Sequence, residues 1–267
     1  MNPVYWCFPG GLHKALTLSY DDGKIADRRL VSVLNRYDIR ATFHLNAGKF
    51  SRDGRISEAE VASLYAGHEI SAHSFTHPTL TRLPREQIIQ QILEDRRGLE
   101  QLAGYPVRGM SYPNGAFNSD IASLLPHLGM SYARTTHSTA GFDLPEDWFR
   151  WKPTCHHNEN LLALADKFVS LNKQHMPYLF YVWGHSYDFD QDNNWDLLDE
   201  FCSKVSRKAD TWYATNIEIV DYMDAVNRLC YSVNCDQVHN PSSLTIWIKV
   251  KDNFHQIPPG KIYALSH

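Results

Sequence analysis

Short apolar runs alternate with amphipathic stretches along most of the chain. Ala15–Tyr20 (ALTLSY) predicts a strand that stops abruptly at Asp21-Asp22-Gly23, and Ala41–Leu45 (ATFHL) predicts the next. Between them Leu30, Val33, Leu34 and Tyr37 recur at helical spacing. Ser57–Tyr65 reads as a short helix with Ser57 as N-cap and Glu60 three residues on, a capping box. Glu69–Ala72 predicts a brief strand running into His73. Pro84 then opens a long helix to about Leu102, with Ile88, Ile89, Ile92, Leu93, Leu99 and Leu102 on its apolar face. Val107–Tyr112 and Ser131–Arg134 predict strands on either side of helix Asp120–Leu128. After a long aromatic-rich loop, 136–160, the alternation resumes with helix Leu161–Gln174 and strand Pro177–Trp183. Helix Trp195–Ala209, strand Trp212–Thr215 and helix Glu218–Leu229 follow, and Leu244–Val250 and Gly260–Leu265 predict a small antiparallel appendage.

Regular β–α alternation predicts parallel strands flanked by helices, either a barrel or a doubly wound sheet. About seven units over roughly 230 residues fit a (β/α) barrel, whose chemistry sits at the C-terminal strand ends. No repeat or linker interrupts the chain. The expected division is a barrel over residues 1–230 and a small C-terminal β extension over 231–267 packed on it.

Composition narrows the function classes. The chain has 267 residues and a hydrophobic content of 43%, enough for a full core. Lys plus Arg number 26 against 30 Asp plus Glu, a net charge of −4, which gives no electrostatic footprint for nucleic acid or an anionic membrane. Mean hydropathy is −0.41, and no run approaches the ~20 apolar residues of a membrane span. The opening MNPVYWCFPGG lacks the basic start and apolar run of a signal peptide, so a cytoplasmic protein is expected. Cys7, Cys155, Cys202, Cys230 and Cys235 are scattered and odd in number, which argues against a disulfide framework.

The candidate chemistry collects where predicted strands end. After ALTLSY come Asp21 and Asp22; after EISA come His73 and His77; after GMSY comes Pro113-Asn114-Gly115; after YLFYVW comes His185. Each piece alone is weak: Asp-Asp-Gly is ordinarily a turn, and His-x-x-x-His is common without a metal. Together they form the donor set of a divalent transition metal, with the two imidazoles i, i+4 on one side of a helical turn and an aspartate from a neighbouring strand. Cys155-His156-His157 lacks a partner pair at metal spacing and is not read as a second metal site; a place on the pocket rim is expected for His157. Trp148, Phe149, Trp151, Tyr187, Phe189 and Trp195 are candidate sugar-stacking aromatics.

These residues resemble the polysaccharide deacetylases of the NodB-homology type, carbohydrate esterase family 4, over roughly Lys14 to Thr215. Leu18-Ser19-Tyr20-Asp21-Asp22-Gly23 is similar to the family's first motif. His73-Ser74-Phe75-Thr76-His77-Pro78, extended by Leu80-Thr81-Arg82-Leu83, is similar to the second. The resemblance implies a distorted (β/α) barrel and a metal-dependent hydrolase that removes acetyl groups from N-acetylated sugars. By that resemblance Asp21 is the base; Asp22, His73 and His77 bind the metal, zinc foremost, with cobalt, nickel or manganese as alternatives; and His185 is the acid. The Asn114 N–H is the expected oxyanion donor, with Tyr112 beside it. Ser111 stands where the family has the arginine that holds the base, so either Arg108, three residues earlier, reaches across or another group holds it. Asp147-Trp148 is the expected counterpart of the motif that orients the catalytic histidine. The Trp-Gly-His ending at His185, in place of an aliphatic-x-His, marks a divergent subgroup.

The rival readings are hydrolysis of a small non-sugar amide or ureide on the same fold, and a catalytically silent carbohydrate-binding relative. A closed structural zinc site fits less well, because it normally takes four protein ligands and only three are present.

Overall fold

The computed structural model describes residues 2–265. The chain enters through β1 (Val4–Cys7) and then forms β2 (Lys14–Asp21), buried along its whole length. A strand buried on both faces fits a parallel sheet covered by helices, and its polar residues find partners inside: Lys14 pairs with Asp210 and Thr17 Oγ1 donates to Asn216 Oδ1. That sheet adds α1 (Asp27–Arg36), β3 (Thr42–Leu45), α2 (Glu58–Leu64), β4 (Glu69–Ala72), α3 (Arg85–Ala103) and β5 (Gly109–Ser111). It continues through α4 (Ser119–Leu124), β6 (Tyr132–Arg134), β7 (Cys155–His156), α5 (Leu161–Ser170) and β8 (Tyr178–His185). The short α6 (Asp188–Gln191), α7 (Trp195–Val205), β9 (Thr211–Tyr213) and α8 (Asn216–Asn227) complete it. The expected capping box at Ser57 and Glu60 starts α2, and a second one at Thr215 and Glu218 starts α8.

The strand order is β6-β5-β4-β3-β2-β8-β7, with β9 on the N-terminal half of β2, and every pairing is parallel. The stretch from Trp151 to His156 curls this sheet shut. Trp151 N–H donates to Ala133 O at 3.0 Å and Thr135 N–H to Trp151 O at 2.8 Å, while Thr154 N–H donates to Tyr181 O at 2.8 Å. Its start therefore hydrogen-bonds to β6 and its end to β8, which makes the distorted (β/α) barrel. The expected 136–160 loop thus contains a barrel strand, but β7 has only two residues, too few to show a period. The Trp151 ring is 1% exposed and wedges between Tyr132 (5.5 Å between ring centres), Tyr181 (4.7 Å) and Trp148 (4.8 Å).

Beyond α8 come β10 (Cys230–Tyr231), β11 (Gln237–Asn240), β12 (Ile246–Val250), β13 (Asn253–Ile257) and β14 (Lys261–Ala264). They form two antiparallel sheets, β1-β12-β13 and β10-β11-β14. The appendage therefore recruits the N-terminal strand. The pattern did not reveal β1, whose four residues VYWC show no apolar–polar alternation, or β13, which is largely exposed. Ile246, Ile248 and Val250 share a core with Ile219 and Met223 of α8 and with Tyr181. No helix among the described residues is long and apolar enough to cross a membrane.

Trp151→Ala should lower unfolding stability by about 3–5 kcal/mol, because it empties the joint between β6 and β8. Urea unfolding followed by circular dichroism measures this, and a loss below about 1 kcal/mol would contradict the closure described above.

Candidate active site

Asp21, His73, Ser111, Arg134 and His185 stand at or just beyond the C-terminal ends of β2, β4, β5, β6 and β8. Parallel register sets Asp21 level with His44 on one side and His185 on the other. A single face of the barrel thus receives one functional side chain from each of these strands.

The three expected metal ligands converge. Asp22, His73 and His77 offer donor atoms within 4.8 Å of one another, and the two imidazole rings are 4.7 Å apart. His73 Nδ1 is engaged by Ser111, at 3.0 Å from its carbonyl oxygen and 2.6 Å from its Oγ, which leaves Nε2 facing the site. Burial lowers the affinity of both histidines for a proton, bringing His73 to about 4, so both imidazoles are neutral at pH 7. Two neutral nitrogens and a carboxylate with room for further ligands suit a divalent transition metal.

The path that brings the histidines together is not the expected helical turn. Residues 73–77 are irregular, with Ser74 at φ +63° and His77 at φ +61°. Left-handed backbone at non-glycine residues is strained and persists only where its surroundings fix it. Here the Asn46 side-chain amide donates to His73 O (2.7 Å) and Ser74 O (2.8 Å). The Asp95 carboxylate accepts from the backbone N–H groups of His73 (2.8 Å) and Ala47 (2.7 Å). Gly48 lies so close that a Cβ there would sit 2.6 Å from Phe75 O.

Each aspartate of the pair has its own cation. Asp21, 2% exposed, pairs with Arg134, itself fully buried, and accepts from Ser111 Oγ at 3.1 Å. Burial pushes the Asp21 carboxyl up, but Arg134 and the neighbouring histidines outweigh it and hold it well below the carboxylate range. Of the two alternatives, Arg108 reaching across is excluded: it makes a bidentate pair with Asp221 of α8 at 2.8 and 2.6 Å, and the other group is Arg134. Arg134 is the residue the sequence reading missed. It ends its strand just as Asp21 and His185 end theirs, and that position was the available signal. Asp22 pairs with Arg55, whose guanidinium lies 3.3 Å from its Oδ1 and also donates to its main-chain oxygen.

His185 Nδ1 lies 3.2 Å from the Asp188 carboxylate. Burial lowers the His185 pKa, but the bond to Asp188 and the charges of Asp21, Asp188 and Asp22 raise it above its ordinary value. The expected partner, Asp147, instead caps the turn at Phe149 N–H (2.8 Å) and pairs with Arg150, and Trp148 packs against Trp151. The contact expected from a distant motif is made by a carboxylate three residues after His185. His156 Nε2 (3.3 Å) and His157 Nε2 (3.7 Å) also approach Asp188. His156, His157 and Asp188 thus form a second group with metal-like spacing. The backbone N–H of Asn158 points at His156 Nδ1 (3.2 Å), which puts the His156 proton on Nε2, so it donates to Asp188 instead of offering a lone pair. His157 is not on a pocket rim. It is completely buried, with its ring stacked 4.1 Å from Phe189.

Asn114 sits at φ +57° in the turn after β5 with its backbone N–H in no backbone bond among the described residues, while its amide donates to Thr79 Oγ1. Tyr112 turns away: its hydroxyl donates to Phe149 O at 2.7 Å and its ring stacks on Phe117. Of the candidate aromatics, Trp151 and Phe189 are buried packing, and Trp195 is buried with its indole on Asp190. Tyr187 alone among the six lines the 410 Å³ cavity beside the metal-type donors, together with Asp22, His77, Lys24, Lys49 and Arg55. A larger groove of 630 Å³ between the starts of α3 and α4 holds none of these groups.

Residues 4–133 match the family described as polysaccharide deacetylase. A peptidoglycan-N-acetylglucosamine deacetylase from Listeria monocytogenes is 28% identical over 138 residues, 51% of this chain and 27% of that protein. A chitin deacetylase from Colletotrichum lindemuthianum is 25% identical over 145 residues, 53% of this chain and 57% of that protein. The chain therefore spans little more than a quarter of the Listeria relative. In three dimensions it is similar to a Mycobacterium smegmatis protein ascribed to the polysaccharide deacetylases, with a TM-score of 0.63 at 17% identity over 85% of this chain and 96% of that one. A CE4 family pseudoenzyme from Bacillus anthracis gives 0.53 at 18% identity, over 81% and 68%. These last two likenesses establish the fold, and over residues 4–133, just under half of its length, the chain is similar to the polysaccharide deacetylase family.

Proposed function

We propose that this chain is a metal-dependent deacetylase that hydrolyses the acetamide of an N-acetylated sugar to acetate and a free amine. The observation that carries the reading is the pair Asp21 and His185, level with each other on adjacent strands beside the Asp22, His73 and His77 donors. The similarity to peptidoglycan and chitin deacetylases favours an N-acetylated sugar over a ureide. A silent binding relative would have no use for a buried, ionised Asp21.

Asp22, His73 and His77 would hold the divalent ion. Bound there, such an ion supplies Lewis acidity that polarises the acetyl carbonyl and lowers the pKa of water. Asp21, kept ionised by Arg134, accepts the proton of the attacking water. The Asn114 N–H donates to the oxygen on which negative charge develops. His185, kept protonated by Asp188, delivers a proton to the departing amine as the C–N bond breaks. Water is consumed: one of its protons goes to Asp21, the other leaves with the acetic acid, the amine takes the proton His185 carried, and passage of the Asp21 proton to His185 restores both groups. Asp188 is a positioning residue in this scheme.

The protein loaded with Zn²⁺ or Co²⁺ should release acetate from acetylated chito-oligosaccharides or peptidoglycan fragments. Product from ureides alone would overturn the reading. Asp21→Asn should lower kcat by about 10²–10⁴-fold with bound metal unchanged by elemental analysis, whereas His73→Ala should lose metal and turnover together. Full turnover in Asp21→Asn would remove Asp21 from the base role.

Asp188→Asn tests the acid. His185 must be protonated to act, so turnover falls as pH rises through its pKa, and losing the carboxylate that raises this pKa moves that limb to lower pH. A shift of about one to two pH units in the kcat profile is expected; an unmoved limb would separate Asp188 from the acid.

A further inference from the structure

The cavity against Asp22 and His77 holds more positive than negative charge. Its cations are Lys24, Lys49 and Arg55, and its carboxylates are Asp22 and Asp190. Arg55 is committed to Asp22, and Asp190 accepts from the Trp195 indole N–H at 2.8 Å. Among the described residues, neither Lys24 nor Lys49 has a carboxylate within ion-pair distance. The chain as a whole carries −4, so this excess is local. A divalent ion on Asp22 would widen it by consuming the nearest negative charge.

Neither ammonium is placed by a floppy surface loop. Lys24 and Arg55 face each other across an antiparallel bridge, and Lys24 Nζ lies 5.7 Å from the centre of the Tyr187 ring. Lys49 ends the short turn Ala47–Lys49, whose first backbone N–H is held by the buried Asp95. Both lysines are half-buried. Cations gathered in a concave, partly desolvated site without counter-charge repel one another, and a ligand that brings the missing charge relieves that repulsion.

We propose that the substrate of this site carries an anionic substituent, a carboxylate or a phosphate ester, on or next to the N-acetylated sugar, and that Lys24 and Lys49 bind it. The identity of the sugar rests on the deacetylase reading; the charge does not.

Three probes decide this on the full Zn²⁺-loaded chain: N-acetylglucosamine, its 6-phosphate and N-acetylmuramic acid. Calorimetry should show at least one anionic probe binding about tenfold or more tightly than the neutral one, and which probe it is identifies the anion. The preference should fall toward unity in Lys24→Met/Lys49→Met, survive in Lys24→Arg/Lys49→Arg, and shrink in 0.5 M salt. Equal binding of all three probes, or a preference that outlasts both the methionine substitutions and the salt, would overturn the proposal. Acetate release from the same mixtures separates the two readings. A charge preference without acetate from any probe sinks only the deacetylase assignment. Acetate at equal kcat/KM from all three sinks only the anion subsite.

Discussion

A carboxylate that must stay ionised where water cannot reach it dictates much of this architecture. Asp21 is 2% exposed at the end of β2, and an unpaired ion there would cost several kcal/mol. Its cation, Arg134, belongs to β6, which lies four strands away along the hydrogen-bonded order β2-β3-β4-β5-β6. The two side chains meet only across the inside of a sheet that has curled onto itself. The stretch from Trp151 to His156 holds that curl, so the joint around Trp151 and the ionisation of Asp21 are parts of one problem. Removing either partner of a buried pair costs more than the pair itself contributes, because the other charge stays behind.

The same constraint accounts for the Trp-Gly-His ending of β8. The Arg134 guanidinium lies 4.4 Å from the centre of the Trp183 ring, a cation–π contact inside the barrel. An aliphatic side chain at 183 would leave that face of the cation without its partner. Gly184 passes so close to His157 that a Cβ would collide with its ring. His157 packs on Phe189, the residue next to the Asp188 that His185 bonds to. Three consecutive residues of β8 thus support the cation of one functional group, the packing behind a second, and the second group itself.

Much of the fold and part of the site were legible in the residue order. Hydrophobic alternation located the barrel strands from β2 to β9 except the two-residue β7, and the rule that function sits at strand ends picked out Asp21, Asp22, His73, His77 and His185. Partnerships were not legible. Arg108 lies near the start of one predicted strand and Arg134 at the end of another; that position hints at Arg134, but the curvature of the sheet is what brings it to Asp21 while Arg108 reaches Asp221 on α8. Asp188 was hidden for a different reason. It opens a helix of four residues, α6, where an aspartate is expected for helix-end electrostatics alone. Residues such as His157 and Tyr112 have polar tips that suggest a site, yet their burial and ring contacts make them packing.

The adjacency of Asp21 and Asp22 is the least intuitive part of the design. Successive residues of a strand project to opposite faces, so a regular β2 continued by one residue would send Asp22 away from Asp21. Asp22 instead takes φ +86°, while its N–H still donates to His44 O at 2.9 Å and extends the ladder by one bond. The twist brings two like charges into one site, and their repulsion is offset by a separate cation for each, Arg134 for the first and Arg55 for the second. Separate cations keep the two carboxylates distinguishable: one is sealed inside the barrel, and the other lines the open cavity where His77 also lies. Under the deacetylase reading that difference is what assigns proton transfer to Asp21 and metal ligation to Asp22. A single strained residue at the end of a strand is then sufficient to give consecutive identical side chains different chemistry.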